Sequence, residues 1–64
     1  MDVAISREGT IWRFKPLNQK ADEWFADNVE SEDWQWLGSW LCADRRCGVA
    51  LREALIDAGL EVTE

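Results

Sequence analysis

Cys47 is the residue whose setting in the chain most suggests reactivity. It stands at the predicted start of the last helix, directly after Arg45 and Arg46, and both a helix N-terminus and neighbouring cations lower a thiol pKa. The same residue opens an apolar stripe continued by Ala50, Leu51 and Ala54, and that placement predicts a buried, inert thiol instead. Cys42 is the only other cysteine and the chain has no His, so four soft ligands for a structural zinc cannot be assembled. Both thiols are therefore read as reduced, small apolar groups. With neither His nor Tyr and no Gly-rich phosphate loop, acid-base catalysis would fall to carboxylates in solvent-facing positions, where nothing would tune their pKa values. No catalytic, cofactor-binding or metal-ligating residue is assigned, and the chain is expected not to be an enzyme.

The carboxylates point to a different chemistry. Between Lys20 and Arg45 lie seven acids, Asp22, Glu23, Asp27, Glu30, Glu32, Asp33 and Asp44, with no cation among them. This segment holds the excess that makes the net charge -6. Glu23 and Asp27 are four apart, hence about 6 Å apart along a helix axis, and Glu30, Glu32 and Asp33 continue them as a row. Duplex DNA also presents a row of negative charge, about one per 1.7 Å of axis. A groove lined with Lys and Arg would attract either. The plainer role for such acids is a solvated face that keeps a small domain soluble, and for Asp22 and Glu23 a match to the positive end of a helix dipole. The same charge balance disfavours direct binding to nucleic acid or to an anionic membrane, which call for a cationic footprint.

The elements that would position these groups can be read in order. Val3 to Ser6 and Thr10 to Phe14 have strand character, with Arg7-Glu8-Gly9 as a hairpin turn. Alternation puts Trp12 and Phe14 on the core face, and Ile11, Arg13 and Lys15 on the other. Asn18 is a candidate N-cap, and Ala21, Trp24, Phe25, Asn28 and Val29 follow helical spacing. That helix ends near Asn28, and Ser31-Glu32-Asp33 is a polar connection. From Trp34 to Leu41 the period is mixed, and Gly38 is read as the break between a helical turn and a strand over Ser39 to Asp44. Cys47, Ala50, Leu51, Ala54, Leu55 and Ala58 then define a second helix, with Gly59 at its end. Leu60-Glu61-Val62 closes the chain as a short strand. The sum is a single domain over residues 1–64, an α+β fold of order ββαβαβ with two helices on one face of a small antiparallel or mixed sheet.

A chain this short buries only about 60% of its unfolded surface, so the five Trp have structural work to do. Helix or strand spacing explains Trp12 and Trp24 as core. Trp34, Trp36 and Trp40 crowd a single small domain, and one of them is expected beside the acids at the surface. No apolar run reaches the roughly 20 residues of a membrane span, and no signal-peptide pattern opens the chain. A cytoplasmic protein is expected.

Four segments carry a resemblance that spans nearly the whole chain: T-I-W-R-F-K-P-L (Thr10 to Leu17), W-F-A-D-N-V (Trp24 to Val29), W-Q-W-L-G (Trp34 to Gly38) and A-G-L-E-V (Ala58 to Val62). Together they resemble a group of short bacterial and mobile-element proteins that includes small anti-CRISPR proteins acting on type I systems, among them type I-C. The resemblance implies a stoichiometric inhibitor, encoded by a phage or mobile element, that occupies a DNA-binding surface of a CRISPR effector complex. These motifs are structural, so the expected partner-binding site rests on charge: Asp22, Glu23, Asp27, Glu30, Glu32 and Asp33, with Trp36. The competing expectation is a non-enzymatic structural or regulatory module that dimerises or binds a host protein through a Trp surface or an edge strand. The first predicts association weakened by salt, in a monomer or weak dimer. The second predicts salt-insensitive association lost on changing Trp36 or Trp40.

Overall fold

In a computed structural model, which describes residues 1–29 and 36–64, the chain runs β1 (Val3–Glu8), β2 (Ile11–Pro16), α1 (Gln19–Asn28), β3 (Trp36–Leu37), β4 (Trp40–Asp44), α2 (Arg45–Asp57) and β5 (Val62–Thr63). The strands form one mixed sheet in the order β3-β4-β2-β1-β5. All its pairings are antiparallel except β1 with β5. The α+β class with helices on one side agrees with the sequence reading. The order ββαββαβ adds one strand to the expected ββαβαβ.

That strand comes from the segment with the mixed period. Trp36 and Leu37 form β3 rather than a helical turn, and they pair with Leu41 and Trp40 across Gly38-Ser39. Gly38 has φ +64° and Ser39 does not share that sign, the pattern of a two-residue turn with Gly first, which keeps the twist of the flanking strands. The first hairpin closes the same way. β1 runs on through Arg7 and Glu8, Glu8 faces Ile11, and the turn is Gly9-Thr10 with Gly9 at φ +61°. The expected turn at Arg7-Glu8-Gly9 is thus displaced, because the single residue able to take positive φ fixes where the chain reverses.

Val3, Ile5, Trp12, Phe14 and Leu41 from the sheet join Ala21 and Phe25 of α1, Leu55 of α2 and Leu60 in one buried cluster. As the alternation requires, Trp12 and Phe14 are inside. Trp24 is only half-buried, packed edge-on against Phe25 at the border of the core. Asn18 caps α1 as expected, its side-chain oxygen accepting from the Ala21 N–H at 2.8 Å. Asp44 caps α2 by accepting from the Cys47 N–H at 2.8 Å.

α2 is turned about its axis relative to the expected stripe. Gly48 and Leu55 are its buried residues, with Leu51 packed beside them, while Cys47, Ala50, Ala54 and Ala58 are exposed. Gly48 is the cause. A β-carbon there would lie 2.8 Å from Trp12 Cγ, so the helix rests its bare backbone on the indole. At its other end the Leu60 N–H donates to the Leu55 carbonyl and the Gly59 N–H to that of Ile56. With Gly59 at φ +84° this is a Schellman ending, and the paired C″ and C3 side chains, Leu60 and Leu55, are both core residues.

Candidate functional site

α1 is the element that presents the acids. Ala21 and Phe25 are its buried residues, and at 3.6 residues per turn Glu23 and Asp27 fall on the opposite side, with Asp22 on the flank. All three are exposed. Glu23 accepts a hydrogen bond from Gln19 Nε2 at 3.1 Å, and none of the three forms an ion pair among the described residues. Glu30, Glu32 and Asp33, together with Trp34, lie outside the described residues.

The cations near the termini are engaged elsewhere. Arg7 and Arg52 both reach Glu64, at 3.4 and 3.1 Å, Arg13 reaches Glu8 at 3.4 Å, and Lys20 approaches Asp2 at 3.9 Å. The outward carboxylates of the helices thus lack ion pairs among the described residues, while Lys20 of α1 and Arg52 of α2 pair with acids near the chain ends and Arg45 and Arg46 stand exposed at the start of α2. Two further acids share that outward side and were missed from sequence. Glu53 and Asp57 of α2 are exposed and also lack an ion pair among the described residues. The signal was present: they stand on the polar side of the second helix. It became meaningful only once both helices were placed on one face of the sheet.

Trp36 does not stand out among the acids. It is half-buried on the core side, its ring 6.3 Å from Phe25 at 60°. Trp40 lies on the other side of the sheet, since it pairs with Leu37 while Trp36 pairs with Leu41.

Asp2 and Asp44 are structural carboxylates. Asp2 accepts from the Glu61 N–H at 2.9 Å and from Asn18 Nδ2 at 2.6 Å. It therefore ties the start of β1 to the α1 cap and to the approach to β5. These hydrogen bonds, the backbone one foremost, hold its carboxyl below the usual range, and the Cys47 N–H does the same for Asp44. Cys47 is exposed, contrary to the expected burial. Its thiol is nevertheless pushed up, first by hydrogen bonding to the Asp44 carboxylate and then by that group's charge. Asp44 thereby opposes the effect of the helix N-terminus and the arginines. Both cysteines are free thiols.

Among the described residues no cluster of His, Cys, Asp or Glu is arranged to hold a metal ion, and no helix is long and apolar enough to cross a membrane. Comparison with protein families, with curated proteins and with solved structures gives no match.

Proposed function

We propose that this protein is a non-enzymatic, stoichiometric inhibitor that docks its acidic helical side into a cationic, nucleic-acid-binding surface of another protein, in place of the polyanion that surface holds. The observation that carries the reading is the state of Asp22, Glu23 and Asp27: three exposed carboxylates on one helix, without ion pairs among the described residues, while Arg7, Arg13, Lys20 and Arg52 take other acids. An acid kept solely for solubility has no need to share a face with others of its sign. Grouped on one side, such charges steer encounter with a basic groove and repel nucleic acid from the same place. Glu53 and Asp57 extend the surface, and Glu30, Glu32 and Asp33 belong to it by sequence.

The resemblance to small anti-CRISPR proteins supplies the class of target, a type I CRISPR effector complex in the bacterial cytoplasm. Phage survival in cells carrying different CRISPR types, with and without the protein, tests this. Protection confined to a type I system, and lost in the D22N/E23Q/D27N variant, is the expected result. Protection in no type, or full protection by a folded variant, contradicts it.

A further inference from the structure

The charges of α2 run against its own dipole. Arg45 and Arg46 open the helix and Asp57 closes it, with Glu53 one turn before, and there is no acid in the first turn and no base in the last. A helix is positive at its N-terminus and negative at its C-terminus, so this order adds to the dipole at both ends instead of offsetting it. Asp44 at the N-cap removes part of the excess, its carboxylate held by the Cys47 N–H. All four charged residues are exposed, and none forms an ion pair among the described residues.

Apolar surface lies along the same side. Gly48 and Leu55 face the core, and at 3.6 residues per turn Arg46, Ala50, Glu53 and Asp57 fall on the opposite meridian. Val49 and Ile56, seven residues apart and 41% and 46% exposed, border it on one edge. Ala50 is small enough to let another helix approach to about 8 Å between axes.

A uniformly charged partner of either sign meets like charge at one end of this face. A second copy of the helix, laid antiparallel, does not. A twofold axis across the middle of α2 sets Arg46 of each copy on Asp57 of the other, and Val49 of each beside Ile56 of the other. Both pairs have their midpoint between Leu51 and Glu53, so a single axis serves them. The two dipoles then oppose as well. The exposed side carries two cations and two acids in a chain of net charge -6, so two copies meet where their mutual repulsion is least.

We propose that the outer side of α2 is a self-recognition face, through which two copies of this chain pair antiparallel about a twofold axis. A helix of 13 residues is about 20 Å long and offers less than the roughly 800 Å² per partner of a stable interface. The dimer therefore forms only at high protein concentration. It stands independently of the inhibitor reading, whose carrying acids Asp22, Glu23 and Asp27 are on α1.

Sedimentation equilibrium and amide NMR over a concentration series at low salt test this. Expected are a monomer–dimer equilibrium and concentration-dependent shifts centred on α2. R46E and D57K each set like charges together across the axis and should weaken association about tenfold. Each also suits the helix dipole, so the unfolding midpoint of the dilute variant should not fall. R46E/D57K reverses both pairs and should restore association to near the wild-type value. D57K alone carries the test if R46E disturbs the Asp44 cap. Four results would each overturn the proposal: a monomer at every concentration, shifts confined to other elements, wild-type association in the single variants, or a double variant that associates no better than either single one.

Discussion

Gly48 decides how α2 sits on the sheet, and its replacement separates two opposing effects. Alanine would gain about 1 kcal/mol of helix propensity. Its β-carbon would also meet Trp12 Cγ, Cβ and Cδ2 within 2.9 Å, and overpacking of this kind costs about 1–3 kcal/mol. Those atoms are the root of a buried indole, which cannot swing aside as a flexible chain end could. G48A is therefore expected to lose up to about 2 kcal/mol net, read by urea denaturation, with a change in Trp fluorescence. Asp2 and Asp44 give a pH signature. Their pKa values are lowered in the folded state, so their contribution is present above the ordinary carboxylate range and is lost as pH falls through the folded values. D2N should be less stable than wild type near pH ~7, and the gap should close below about pH 4. A gap unchanged at low pH would show that Asp2 acts through its shape and not its charge. Cys47 should react slowly with alkylating reagents at neutral pH despite its exposure, because Asp44 raises its pKa. In D44N, which removes the opposing charge, labelling should speed up.

The elements were legible where one residue both stops and caps. Asn18 and Gly59 marked the start of α1 and the end of α2, and alternation named the buried face of β2 through Trp12 and Phe14. The missing strand was hidden because a two-residue element is shorter than any period that could reveal it. Trp36 and Leu37 become a strand only through pairing with Leu41 and Trp40. The face of α2 was misjudged because periodicity counts apolar side chains, and the residue that meets the core has none. Of the candidate site, the exposure of Asp22, Glu23 and Asp27 followed from the α1 stripe. The contribution of Glu53 and Asp57 depends on tertiary placement and could not be read locally. The turns provide an element-scale check. G38V forces a β-branched residue to φ +64°, where left-handed backbone costs about 1–2 kcal/mol. That loss should appear as a lower unfolding midpoint, accompanied by faster hydrogen exchange in β3 and β4.

At the scale of the molecule, the helices turn outward carboxylates that lack ion pairs among the described residues, with Arg45 and Arg46 exposed at the start of α2, while Arg7, Arg13, Lys20 and Arg52 are taken up by Asp2, Glu8 and Glu64. One packed layer holds this together. Phe14 is fully buried, and F14A is expected to cost about 3–5 kcal/mol, comparable to the whole stability of a marginal domain, so the variant should be largely unfolded by circular dichroism. Removing outward acids should act oppositely, leaving the fold intact and easing self-repulsion. That separation makes the acidic side directly testable. The affinity of the protein for a purified type I CRISPR effector complex should be measured across a salt series, for wild type and for D22N/E23Q/D27N. The account predicts wild-type affinity that falls steeply as salt rises, with a weaker interaction and a shallower salt dependence in the folded variant. Equal affinity and equal salt dependence for the two proteins would contradict it.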